Sequence, residues 1–115
     1  MEKTRSLKKN DLFLLVYKKG SRVHHKYFVL HFYPNGKNFC RLGIKVSPKI
    51  AGAVGRNRVK RLVREVFRLL DIVPDKGYDF IVVAKDGVQN LSGLKEVSNV
   101  LTLLLCRTKI KWDKK

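Results

Sequence analysis

At 115 residues the chain is long enough for one domain with a modest core, and too short for a cofactor domain joined to a substrate domain. Its 44% hydrophobic content argues against a disordered basic tail, while 26 Lys and Arg against 9 Asp and Glu leave a net charge of +17 that requires a polyanionic partner or a strongly anionic surface, nucleic acid first. Cys40 and Cys106 stand far apart, with no CxxC pair and no histidine at ligand spacing, and no run approaches the roughly 18 to 20 apolar residues of a membrane span. The sequence therefore offers no metal site and reads as a reduced, cytoplasmic protein whose cysteines mainly pack.

One domain fills residues 1–115, with 1–5 and 108–115 reading as flexible tails. Asn10 as N-cap and Gly20 as C′ residue enclose a short helix with Phe13, Val16 and Tyr17 on one side and Lys18 and Lys19 in its last turn. A short strand is expected near Ser21 to His24. Lys26 to Tyr33 is a strand by its aromatic and β-branched content, and Pro34-Asn35-Gly36 stops it, predicting a hairpin into a second strand over Phe39 to Ser47. Phe28, Leu30 and Phe32 point one way and Tyr27, Val29, His31 and Tyr33 the other, so the second face needs a cover other than the main core.

From Asn57 to about Asp71, Val59, Leu62, Val63, Val66, Phe67 and Leu70 recur at helical spacing. Asn57, Lys60, Arg61, Arg64 and Arg68 then project outward, with Arg58 and Glu65 flanking and Arg56 at the entry. Tyr78 to Lys85 is a near-continuous apolar run suited to a central strand. A last helix from near Ser92 carries Leu94, Val97, Leu101, Leu104 and Leu105 on one side. The fold class is α+β, a small mixed sheet packed by helices.

No catalytic constellation is visible: there is no nucleophile elbow, no HExxH, no Walker loop, and the acids are scattered. Adjacent His24 and His25 fall on opposite faces of an extended chain and make poor co-ligands. His31 reads either as a half-buried sheet histidine or as a base-stacking residue. The basic helix is more telling, because like charges at Lys60, Arg64 and Arg68 repel unless a polyanion offsets them. Guanidinium forks match phosphate oxygens, and Asn57 can read a base edge or a 2′-hydroxyl. Phe13 and Tyr17, one turn apart, either pack or flank the sheet face of Val29, His31 and Tyr33 as an aromatic trough.

The segment Ala53-Val54-x-Arg56-Asn57-Arg58-Val59-Lys60-Arg61-Leu62-Val63-Arg64-Glu65, preceded by Leu42-Gly43-Ile44-x-Val46-Ser47, resembles the RNR helix of the protein subunit of bacterial ribonuclease P. Supporting matches are Leu7-Lys8-Lys9-Asn10 with Phe13 and Tyr17, Phe28-Val29-Leu30, and Asp79 to Lys85. The resemblance implies a fold shared with a ribosomal-protein domain and with domain IV of the translocating elongation factor, including a left-handed βαβ crossover. It implies two partners, the ribonuclease P RNA subunit and precursor tRNA, with hydrolysis by the RNA and Mg²⁺ bound mainly by that RNA. It offers Arg56, Asn57, Arg58, Lys60, Arg61, Arg64 and Arg68 to the catalytic RNA. It offers Phe13, Tyr17, Val29, His31, Lys45 and Lys49 to a cleft for the single-stranded 5′ leader. No catalytic residue, membrane or DNA is implied. His31 stands where the family commonly has an aromatic, Pro48 replaces a usual basic residue, and Ala51-Gly52 replaces a usual Gly-Asn pair. The other reading is a structural protein of the same fold on ribosomal RNA.

Overall fold

Alternation puts Phe28, Leu30 and Phe32 on one face of a strand and Val29, His31 and Tyr33 on the other. The computed structural model, which describes residues 1 and 4–114, is layered on that division. In chain order the elements are β1 (Arg5–Ser6), α1 (Asn10–Lys19), β2 (Ser21–His24), β3 (Phe28–Pro34), β4 (Arg41–Lys45), α2 (Ala53–Leu69), β5 (Ile72–Pro74), β6 (Tyr78–Ala84), a 3₁₀ turn at Val88–Asn90, α3 (Leu94–Cys106) and β7 (Trp112–Lys114). Five strands form one sheet in the order β1-β4-β6-β3-β2, and β5 pairs with β7. Central β6 runs parallel to β4 and antiparallel to β3.

Phe28, Leu30, Phe32, Phe80 and Val82 meet Val59, Val63, Val66 and Phe67 of α2 and Val97, Leu101, Leu104 and Leu105 of α3 in the main core. On the opposite face a smaller cluster of Leu7, Phe13, Val16 and Ile81 fastens α1 to the sheet, the separate cover that β3's second face required. Among the described residues no helix is long and apolar enough to cross a membrane.

Several expectations are corrected. The hairpin does not form: β3 pairs with β2 and β6, and β4 lies beyond β6. A strand as apolar on both faces as β6 needs a neighbour on each edge, and β3 and β4 supply them. Asn35 ties the intervening loop, its Nδ2 donating to Phe39 O at 3.1 Å and to Asp79 Oδ1 at 2.9 Å. Asn10 lies inside α1, the cap position is Lys9, and no side chain caps it. Gly20 is extended (φ −80°, ψ 172°) rather than left-handed. Its lack of a side chain is needed because a Cβ would lie 2.5 Å from Val16 O and 2.6 Å from Phe32 O. α2 starts at Ala53 rather than Asn57: its first turn is exposed and runs through Gly55, and it is closed by the Arg56 amide donating to Gly52 O at 2.8 Å and the Arg56 guanidinium donating to Ala51 O at 3.0 Å.

The expected tails carry structure. Met1 is buried and its amine donates to Leu70 O at 2.6 Å, while Arg5 and Ser6 pair with β4. Thr108 and Ile110 are buried, and Trp112 stacks on Phe80 with centroids 6.1 Å apart. Positions 2, 3 and 115 of those tails lie outside the described residues. Cys40 is buried as expected of a packing residue, but Cys106 is exposed.

Candidate nucleic-acid interface

Residues opposite one another across paired strands share a face. Two rows therefore cross the α1 side of the sheet: Arg22, His31, Ile81 and Gly43 in one, and His24, Val29, Val83 and Lys45 in the next. α1 covers Ile81 and leaves Val29 half-buried beside it. The Tyr17 ring meets His31 edge-on at 4.8 Å between centroids and stays 39% exposed. The face expected as an aromatic trough therefore carries Val29, Val83 and His31 on the sheet, with Tyr17 of α1 against His31 and Lys45 at the β4 end.

Phe13 has a different task. Only 8% exposed, it packs with Val16 and Ile81, its ring reaches Gly43, and Lys45 Nζ lies 4.6 Å from its centroid. Of the two readings open in the sequence, the packed one describes its position. Lys49 is exposed in the loop between β4 and α2, where its amide donates to Ser47 Oγ at 3.1 Å. Burial raises the Tyr17 hydroxyl above its ordinary pKa, so it is a neutral donor at physiological pH. Burial, then Arg22 and His24, lowers that of His31.

α2 presents Val54, Asn57, Arg61 and Arg64 to solvent along one side, with Lys60 half-buried. Among the described residues no carboxylate pairs with Arg61, Arg64 or Lys60. The other three guanidinium groups have partners within the protein. Arg56 Nη1 donates to Ala51 O at 3.0 Å, and Arg58 Nη2 to Ser92 O at 2.8 Å, hooking α2 to the start of α3. Arg68 forms an ion pair with Glu65 one turn back. The like-charge repulsion expected along Lys60, Arg64 and Arg68 is thus relieved at its C-terminal end by the protein itself. The first turn of α2 has neither an acid nor a side-chain cap, so the helix adds positive partial charge beside Arg56 and Asn57.

Sequence reasoning missed the devices that hold the trough open. Gly43 makes room for Phe13, and Leu7 and Ile81 complete the clamp under α1. The signal was present in β6, whose apolar residues on both faces require cover on both sides. Arg41 is withheld from any ligand, because its Nε and Nη2 donate to the buried Asp79 carboxylate at 2.7 and 2.9 Å. Among the described residues no three His, Cys, Asp or Glu side chains gather as a cation site.

A cationic helix on one side of a sheet and an aromatic-edged face on the other fit a small subunit of the ribonucleoprotein kind. The chain belongs to the Ribonuclease P family, whose model matches residues 1–108. It is 39% identical to the ribonuclease P protein component of Shouchella clausii over 111 residues, covering 96% of this chain and 90% of that one. The corresponding Clostridioides difficile protein is 36% identical over 109 residues, 94% of this chain and 95% of that one. Among solved structures, the Staphylococcus aureus RNase P protein superposes with a TM-score of 0.83 at 35% identity, covering 94% of this chain and 98% of that chain. The Thermotoga maritima protein gives 0.79 at 35% identity, covering 90% and 96%.

Proposed function

We propose that this chain is the protein component of a ribonuclease P holoenzyme that matures the 5′ end of tRNA, docking on the RNA subunit through α2 and holding the precursor's single-stranded leader in the trough. The observation that carries this reading is the outward row Asn57, Arg61 and Arg64, without carboxylate partners among the described residues and rigidly backed by Val59, Val63 and Val66. Such a row suits phosphates of a folded RNA. In the trough, a leader base lies on Val29 and Val83 against Tyr17 and His31, with Lys45 near its phosphate. Hydrolysis belongs to the RNA subunit, and Mg²⁺ bound there supplies the activated water and charge neutralisation. The protein binds, orients and shields.

Reconstitution tests it. The protein alone should leave precursor tRNA intact, and adding the RNA subunit should give site-specific 5′ cleavage at lower Mg²⁺ than the RNA needs alone. Cleavage by RNA-free protein would reject the reading. Association with ribosomal subunits without any effect on leader removal would favour the structural alternative.

A further inference from the structure

The trough has a second end that this reading leaves unused. Beyond His31 and Val29 the sheet continues into edge strand β2, where Arg22 stands opposite His31 and His24 opposite Val29. Opposed residues have Cβ atoms roughly 4.5 to 5.5 Å apart, so Arg22, His24 and His31 form one cluster on the α1 side. Arg22 and His24 are exposed and His31 is half-buried. No ion pair among the described residues involves any of them. From α1 the group facing His31 is the Tyr17 ring, and from β6 it is apolar Ile81. Tyr33 lies two residues along on β3, opposite Asp79, whose carboxylate is already held by Arg41 and Asn35. The cluster therefore gathers one guanidinium and two imidazoles, while the Asp79 carboxylate farther along the sheet is committed to Arg41 and Asn35. Lys45 and His24 end the same row three strand spacings apart, roughly 14 Å, so the two ends address different phosphates of one strand.

We propose that Arg22, with His24 and His31, forms a phosphate subsite at the β2 end of the trough, gripping a backbone phosphodiester of the single-stranded leader next to the base held at Tyr17. The inference rests on the leader-binding reading above and extends it to named groups. Arg22 supplies a guanidinium fork, and the ring of His31 supplies a group whose charge answers to its surroundings. In the free protein burial, then Arg22 and His24, disfavour the charged form of His31; a bound phosphate acts in the opposite direction and favours its protonation. Leader binding should then tighten as pH falls.

The test uses reconstituted holoenzyme and precursor tRNAs carrying a single uncharged methylphosphonate at successive leader positions, with leader-free tRNA alongside. With the parent protein, one position should weaken binding by about tenfold, the loss of one charge-assisted contact. With Arg22→Ala that position should show no further loss, and Arg22→Lys should restore part of it. His31→Phe keeps a ring against Tyr17 and should abolish the tightening between pH 8 and 5.5. An unchanged methylphosphonate profile in Arg22→Ala, or equal losses on leader-free tRNA, would overturn the subsite while leaving the trough intact. A parent protein indifferent to the leader would instead overturn the trough reading itself.

Discussion

A Cβ built on Gly43 would stand 2.8 Å from Phe13 Cε2 and closer still to Cζ, so the phenyl ring of α1 fills the place of β4's missing side chain. This contact, more than any hydrogen bond, sets the height of α1 above the sheet and hence the depth of the trough. Gly43→Ala should lower the unfolding free energy by about 1 to 3 kcal/mol through overpacking, and Phe13→Ala by about 3 to 5 kcal/mol through a cavity. Urea midpoints of the free protein check both. A Gly43→Ala variant as stable as the parent would mean that α1 tolerates a shift.

Salt dependence separates the cations of α2 by their partners. If Arg61 and Arg64 each meet a phosphate, replacing either by Ala should flatten the slope of log affinity against log salt by about 0.7 to 0.9. Arg68→Ala should change it less, because Glu65 already neutralises that guanidinium. Glu65→Gln, by removing a negative charge from this face, should steepen the slope. Filter binding to the RNA subunit between roughly 50 and 200 mM salt would resolve these differences. Equal slopes for all four variants would remove this face of α2 from the interface.

Arg58 differs from Arg61 and Arg64 in working inside the protein. Its bonds to Ser92 O and Leu91 O join α2 to the loop that starts α3. Arg58→Ala should therefore cost about 1 to 2 kcal/mol of stability in the absence of RNA, in the range of a hydrogen bond from a charged group. Arg61→Ala, on an exposed position, should stay within about 0.5 kcal/mol of the parent. Denaturation of the two variants side by side checks the contrast. Equal midpoints would show that the Arg58 bonds contribute nothing measurable.

What could be read in advance follows the range over which each signal acts. The stripe Val59, Val63, Val66 and Phe67 and the apolar run of β6 are local periodicities, and each marks its element, although α2 begins a turn before its stripe. Strand order is not local: nothing in Pro34-Asn35-Gly36 says that β6, far along the chain, will separate β3 from β4. The ends failed for the same reason, since the pairing of Arg5 with Arg41 and the stacking of Trp112 on Phe80 depend on partners distant in sequence. In the candidate site, the outward direction of Asn57, Arg61 and Arg64 was legible from helical spacing. The attachment of Arg58 to Ser92 and of Phe13 to Gly43 required the fold.

Acid should destabilise the free protein in a window that the histidines define. Burial lowers the pKa of His31, and burial with Arg107, Lys85 and Lys26 lowers that of His25. An unfolded histidine titrates near 6.5, so below that pH the unfolded chain binds protons that the folded chain refuses. Stability is then fully present above about pH 6.5 and is lost as pH falls from there toward the depressed folded values. Glu65, held below the ordinary carboxylate range by the hydrogen bond from Arg68, loses its contribution only at lower pH. Urea midpoints should thus be level from about pH 8 to 7 and decline below about 6.5, and His31→Phe should remove part of that decline. A His31→Phe variant with an undiminished acid response would place the sensitivity outside the trough. It would also remove the physical basis for coupling protonation there to a bound phosphate.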